Sequence, residues 1–456
     1  MIQAVRNAFA LPDLRKKILY TFLILAVYRL AAHVPVPGVN TAALAELFKS
    51  SQLMGLLDLL SGGAMATFSV MAMGVYPYIT ASIILQLLTP IIPALERLQK
   101  EGGEEGRNKL NQYTWWLTVP LAALQAYGTA VTMTQLGGGT PILAQFGFRD
   151  APLATVAILA TMTAGTLFAV WLGERISEQG IGNGTSIIIL GGIVARLPQS
   201  LLNLIVGQQW LALIMFLIVT TITVFGIVII QEGKLMIWVQ YSSRTLGQHG
   251  GRLRQTRAVR THIPLRVNMA GMIPLIFAQS FIILPSTIAS YFMAPAGQAP
   301  QNYVQVIAWW VDRIFNPQYT VYWPLYFLMV VAFTYFYTDV IFQQSNMAEN
   351  LRKQGASIPG IRPGKRTADY LTQKTRRITL VGALFLGLVA ILPWLVRLIL
   401  SLFPGAGTGI GGSNVMLISS TGLLIVVGVI LDTMRQLEAQ LQMRHYDKFL
   451  RRGLLG

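Results

Sequence analysis

The chain holds four histidines, His33, His249, His262 and His445, and these are the side chains best suited to bind a metal or move a proton near neutral pH. They are scattered, and none has a second His or a carboxylate at metal-ligand spacing. There is no cysteine, which removes disulfides, thiolate nucleophiles and Cys-ligated metals. Gly360-Ile361-Arg362-Pro363-Gly364-Lys365-Arg366 has the lettering of a phosphate loop. It is one residue short, puts Pro before its second Gly and offers no Ser or Thr after Lys365. Gly407, Gly409 and Gly412 spell a dinucleotide fingerprint, but they follow a long apolar segment rather than a strand, so a flexible turn is the plainer reading. Asn183-Gly184-Thr185 spells a glycosylation site, yet the topology derived below puts it at the cytoplasmic surface. No reaction can be built from these residues. The expectation is a chain that is not an enzyme and uses no cofactor, with energy supplied by a partner or by the membrane potential.

The elements that carry these residues are apolar and long. Ten stretches recur, near 18–34, 70–92, 115–133, 154–172, 185–206, 210–230, 267–291, 322–342, 378–403 and 415–434. Each is close to the ~20 residues a helix needs to cross hydrocarbon about 30 Å thick. Composition agrees: 54% of the 456 residues are apolar and 12% charged, with 42 Gly and 21 Pro. A soluble protein carries about twice that charged fraction.

The connecting loops alternate in basic content. Of the 35 Lys and Arg, 29 fall in the amino-terminal tail, the loops after spans 2, 4, 6 and 8, and the carboxy-terminal tail. Basic loops stay in the cytoplasm, so both termini are expected there. Residues 1–17 are amphipathic and basic with no small-residue cleavage pattern, which predicts a segment along the cytoplasmic interface rather than a signal peptide. The net charge of +17 is then concentrated on one face. Such a face is held by anionic lipids, and it also suits an acidic partner. The loops are short and poor in interleaved aromatics, which argues against nucleic acid in general and leaves ribosomal RNA compatible.

Several runs are more specific. Residues 61–69 are small and weakly apolar, too short to span and too apolar for a solvated loop. A re-entrant segment surrounded by protein fits them, and a plain surface turn is the alternative. Pro77 is expected to bend the start of span 2. Glycines 180, 182 and 184 with Asn183 predict a tight cytoplasmic turn between spans 4 and 5. Pro359, Gly360, Pro363 and Gly364 predict a rigid exposed loop that projects Arg362, Lys365 and Arg366.

Taken in order, Pro35-Val36-Pro37-Gly38, Ser61-Gly62-Gly63-Ala64, Pro77-Tyr78-Ile79, Gly180-Ile181-Gly182-Asn183-Gly184, Val267-Asn268-Met269-Ala270-Gly271 and Pro359-Gly360-Ile361-Arg362-Pro363-Gly364 closely resemble the SecY family over residues 14–446. Members form the central channel subunit of the Sec protein translocase. The resemblance implies an all-α polytopic membrane protein. Ten transmembrane helices would form two inverted five-helix halves around a central pore, with a short plug helix. It implies an amphipathic segment at 1–17, an amino-terminal half at 18–206, a carboxy-terminal half at 207–434 and a cytoplasmic tail at 435–456.

The same resemblance assigns roles. Val75, Ile79, Thr185, Ile189, Ile276 and Ile425 map to an apolar pore ring. The pairs 75/79 and 185/189 are spaced so that each lines one helix face, although the hydroxyl of Thr185 departs from the apolar pattern. Ordinary helix packing is the competing reading of these residues. Ser61, Gly62, Gly63, Ala64, Met65, Ala66, Thr67 and Phe68 match the plug. Thr80, Gln86, Gln125, Gln279 and Ser280 are polar side chains on the expected lateral gate, where polar groups otherwise serve as bridges between helices. Arg254, Arg257, Arg260, Arg362, Lys365 and Arg366 match loops that dock a motor or ribosome. Lys234–Trp238 is more apolar than the basic pattern usual there, which puts the docking residues of that hairpin in doubt. The implied partners are SecE and SecG as small membrane subunits, the motor ATPase SecA, the ribosome, secretory and membrane precursors with signal sequences, and anionic lipids. The implied location is the bacterial-type plasma membrane. The implied activity is passage of unfolded polypeptide outward and sideways release of apolar segments into lipid.

Two other classes fit the bare topology. A small-solute transporter would place ionisable residues at mid-membrane; Asp339 is the clearest such carboxylate, and no basic partner for it is evident in the sequence. A membrane-embedded assembly scaffold would need no pore.

Overall fold

The computed structural model describes residues 11–40, 43–44, 64–65, 67–136, 142–143, 146–148, 151–206, 208, 210–241, 260–292, 302–316, 319–401 and 415–453. In chain order the helices are α1 Pro12–Ala31, α2 Tyr76–Leu88, α3 Pro93–Glu101, α4 Gly103–Leu136, α5 Pro152–Gln179, α6 Gly184–Val206 and α7 Trp210–Glu232. Then come strands β1 Lys234–Tyr241 and β2 Arg260–Arg266, helices α8 Ile273–Phe292, α9 Tyr303–Phe315, α10 Tyr322–Gln344 and α11 Met347–Lys353, strand β3 Ala356–Ser357, and helices α12 Lys365–Ser401 and α13 Val415–Gly453.

Every expected span overlaps one of these helices. Among the described residues α5, α10 and α12 are each long and apolar enough to cross a membrane alone, and α2 with α3 makes a further candidate bent by 103°. That bend has a local cause. Pro90 and Pro93 cannot continue α2, and Pro93 instead starts α3 in the first-turn position that tolerates it. Pro77 likewise sits in the first turn of α2, so it begins that helix rather than bending it. At 13 residues α2 is about 20 Å long, and span 2 is completed by the irregular stretch 69–75. Span 7 also starts late. Asn268 folds back on Gly271, donating from Nδ2 to its carbonyl at 3.0 Å and accepting its N–H at 2.9 Å, and this closed turn holds off α8 until Ile273.

The tails and cytoplasmic loops are more structured than expected. Residues 12–17 are the first turns of α1, and α13 runs through the expected tail to Gly453, with Leu437 buried beside Leu14 and Ile181. The all-helical expectation fails in the loops at 231–266 and 343–377. There β1 pairs antiparallel with β2 from Lys234 opposite Arg266 to Gln240 opposite Arg260, and its far end pairs with β3, giving the order β2-β1-β3.

The chain divides into two compact units, one of residues 1–220, 280–323 and 393–456, the other of 221–279 and 324–392. In the first, α5 packs on α4 and α6, and α6 on α13. Close approach is made possible by glycine: a Cβ on Gly184 would collide with the carbonyl of Gly173, and one on Gly165 with the carbonyl of Val70. In the second, Ile237, Val239, Leu265, Ile358 and Leu371 form the core under the sheet.

Candidate functional site

The expected plug is described only in part. Ser61, Gly62, Gly63 and Ala66 lie outside the described residues. Ala64, Met65, Thr67, Phe68 and Ser69 are described, and they form turns rather than the expected short helix. Phe68 has φ +44°, a left-handed backbone that a bulky residue rarely adopts. The turn is held from both sides. Ser69 N–H donates to the Ala64 carbonyl at 2.9 Å, Val36 N–H to the Phe68 carbonyl at 3.0 Å and Val70 N–H to the Val34 carbonyl at 2.9 Å. The Thr67 hydroxyl lies 3.2 Å from the Ala32 carbonyl. Met65 and Phe68 are buried with Val36, Leu44, Ala130, Met133 and Met162. Met65 and Phe68 thus bury large apolar side chains within a segment of otherwise small residues. The Pro35-Val36-Pro37 motif owes its place to this contact: Pro35 bridges Ser69, which no local pattern in either segment announces.

Two ring candidates meet at the start of α2. Val75 is its N-cap, and Ile79 N–H donates to the Val75 carbonyl at 3.1 Å. Val75 is buried and Ile79 half-buried. Ile189 on α6 and Ile425 on α13 are buried on two helices that pack together. Thr185 lies one turn before Ile189, but its hydroxyl donates to Asn183 Oδ1 at 2.7 Å and its methyl touches the spot a Gly173 Cβ would fill. Its side chain thus serves the turn between α5 and α6. That turn is tied down as its glycines suggested: Gly184 N–H donates to Ser177 Oγ at 2.9 Å and Ile181 N–H to Thr21 Oγ1 at 3.3 Å. Ile276 is buried and belongs to the second unit.

The gate candidates differ in how their polar groups are satisfied. The Thr80 hydroxyl donates within its own helix to Tyr76, and Gln86 Nε2 to Ser82 at 3.1 Å. Ser280 of α8 is hydrogen-bonded to the Tyr76 hydroxyl of α2, a polar link between two helices. Gln125 and Gln279 each hold a buried side-chain oxygen without a protein partner among the described residues. Such groups are costly unless water or a moving chain meets them. Glu174 escaped the sequence reading: it accepts a hydrogen bond from Trp115 Nε1, joining α4 to α5, while Trp115 packs edge-on to Tyr78.

On the second unit, the departure at Lys234–Trp238 has a structural reason. Those residues are strand β1, whose Ile237 and Val239 face the core while Leu235, Met236 and Trp238 are exposed. Trp238 lies against His262 of β2 with ring centres 4.2 Å apart. Arg254 and Arg257 lie outside the described residues, and Arg260 is exposed at the start of β2. Arg362 is exposed on a loop whose turns need glycine, with φ +82° at Gly360 and +112° at Gly364. Ile358 anchors that loop in the core, and the Thr367 hydroxyl caps the Arg362 carbonyl at 2.9 Å. Lys365 and Arg366 are not loop residues. They occupy the first turn of α12, where the helix dipole disfavours cations. Asp339 does have a basic partner: Arg376 lies 3.5 Å away, and both side chains are partly exposed. Gln343 donates to its other oxygen at 3.1 Å. A surface pair of this kind is worth at most about 1 kcal/mol and leaves no isolated intramembrane carboxylate there.

The family model described as SecY matches residues 69–434. The chain belongs to the SecY family. The protein translocase subunit SecY of Thermotoga maritima is 40% identical over 463 aligned residues, covering 99% of each chain. A solved SecY structure, in a study of how its plug domain stabilises the closed state of the channel and maintains a membrane seal, superposes with a TM-score of 0.61 at 17% identity, over 93% of this chain and 92% of that one. The canine Sec61 channel bound to a ribosome from the endoplasmic reticulum gives 0.57 at 16%, over 93% and 92%. SecY membership makes this chain a protein-conducting membrane channel subunit of the translocase, and not an enzyme.

Proposed function

We propose that this channel passes unfolded precursors outward across a bacterial-type plasma membrane and releases apolar segments sideways into lipid, with both termini in the cytoplasm. Ten spans in two inverted halves, 18–206 and 207–434, would enclose the pore. The observation that carries the reading is the buried turn at 64–69 set directly before Val75 and Ile79, so that one continuous stretch supplies both stopper and constriction. Val75, Ile79, Ile189, Ile276 and Ile425 form the ring, with Thr185 at its cytoplasmic edge. Branched apolar side chains exclude water by dewetting yet offer a passing chain nothing to grip. The segment 61–68 is the plug. The link from Tyr76 to Ser280, with Thr80, Gln86 and Gln279 nearby in sequence and Gln125 on α4, forms a gate closed by polar bonds that are able to part.

Arg260, Arg362, Lys365 and Arg366, together with Arg254 and Arg257, dock a motor ATPase of the SecA type or a ribosome. The cations at the start of α12 support this, since they weaken their own helix and gain only from an outside anion. SecE and SecG complete the membrane assembly, and anionic lipids hold the basic face. The cysteine-free chain makes the test direct. Single cysteines at Ile79, Ile189 and Ile425 should crosslink to a stalled precursor in reconstituted vesicles, while one at the lipid-exposed Phe225 should not. Equal crosslinking at all four positions, or none at the three, would refute the pore path.

A further inference from the structure

Helix α9 is absent from the expected spans and from the roles above. It is short, amphipathic and well delimited: Asn302 and Gln305 close a capping box at its start. Tyr303, Ile307, Trp310 and Ile314 fall on one face at helical spacing, and all are exposed. On a flank of that face the guanidinium of Arg313 lies over Trp309 at 5.1 Å and Tyr319 at 5.9 Å. Asp312 fixes the helix in place, accepting from Ser286 of α8 at 3.4 Å and from Asn316 at 3.1 Å. Between α8 and α9 runs a groove of about 290 Å³. Four described residues of each helix line it, including Ile288 and Phe292 on α8 and Val304 and Ile307 on α9, and among the described residues none of the lining side chains is polar. Ile307 belongs both to the groove and to the exposed stripe, so the two surfaces are continuous.

We propose that this groove holds one acyl chain of an outer-leaflet phospholipid, and that α9 lies in the membrane interface with its Trp and Tyr rings at head-group depth. Chemistry selects the occupant. An extended peptide would leave its backbone N–H and C=O groups unsatisfied against a lining with no polar side chain. An acyl chain has no polar groups to satisfy. Aromatic rings and an Arg on one short helix are the side chains that settle at a membrane–water boundary. The leaflet rests on the proposed orientation, which puts the connection between α8 and α10 on the outer side.

The full chain, reconstituted with its small membrane subunits in phosphatidylethanolamine–phosphatidylglycerol vesicles, can be tested in three ways. A fluorophore on Ile307→Cys should be quenched by shallow spin-labelled phospholipid several-fold more than one on Asn302→Cys. Ala308→Trp, which fills the groove, and Val304→Asp, which alters an exposed residue and so spares the packing, should each lower the phospholipid retained after detergent extraction by about one molecule per channel. An impermeant maleimide should reach Asn302→Cys from the outer face. Equal quenching at both positions, unchanged lipid retention in both variants, or quenching at 307 only when the small subunits are left out would overturn the proposal, the last because protein then covers the groove. Labelling of Asn302→Cys from the inner face alone would overturn the leaflet and the orientation, while the lipid readouts would still report on the groove.

Discussion

Phe68→Ala tests whether the buried turn is a seal or merely a link in the fold. The ring is fully buried against Val36, Leu44, Met65, Met133 and Met162. Removing a buried Phe ring costs about 3–5 kcal/mol where the surroundings relax little. Alanine keeps the strained φ of +44°, so no relief offsets that loss. Taking the lower figure, ~3 kcal/mol at about 1.4 kcal/mol per tenfold shifts the balance between docked and undocked segment by roughly a hundredfold. A segment docked about 99 times in 100 would then spend a similar time in each state. The assay is resting ion conductance in planar bilayers, paired with export of precursors carrying defective signals, and both should rise. Phe68→Gly loses the same ring but tolerates positive φ, so it should leak somewhat less than Phe68→Ala. If Phe68→Ala lowered the melting temperature of the purified channel while conductance and export stayed at the wild-type level, the contact would belong to the fold and the seal argument would fail.

Ile79→Asn with Ile276→Asn should raise resting conductance by wetting the ring, and unchanged conductance would count against those two assignments. Gly184→Ala drives a methyl into the Gly173 carbonyl and should cost about 1–3 kcal/mol through forced separation of α5 from α6, read as lower thermal stability in detergent with no selective effect on substrates. Arg362→Glu should impair ATPase-driven translocation while leaving channel abundance and stability intact, because the side chain is exposed and its loop is anchored by Ile358; normal ATP-dependent export would refute its docking role.

The helices were legible because each apolar run is long and its ends carry Pro, Gly or charge. What failed to show was anything set by contacts distant in sequence. The sheet is the clearest case. β1 and β2 are separated by 18 residues, and β3 contributes only two. The apolar run at 234–238 looked like a lost basic pattern, although it belongs to a strand that alternates between surface and core over 236–239. The bend between α2 and α3 was visible as Pro90 and Pro93 but was absorbed into one apolar stretch. The segment 61–69 was legible as too apolar for a loop, yet the burial of its described residues depends on residues 34–36, and no periodicity joins those two segments.

The ring is harder still, because a sealing Ile and a packing Ile are the same side chain, and buried positions such as Ile189 and Ile425 satisfy both readings. The discriminating signals are instead local choices that disagree with the local structure. Phe68 sits where glycine would be easier, and Lys365 and Arg366 stand at the positive end of α12 where an acid would be better. A stable fold alone gives no reason for either. In the proposed roles, a plug that must leave its site would be helped by stored strain, and a docking edge that must attract an anion would be helped by charge its own helix does not neutralise. In both places the proposed role would match the stability forgone within the chain to the arrival of another molecule.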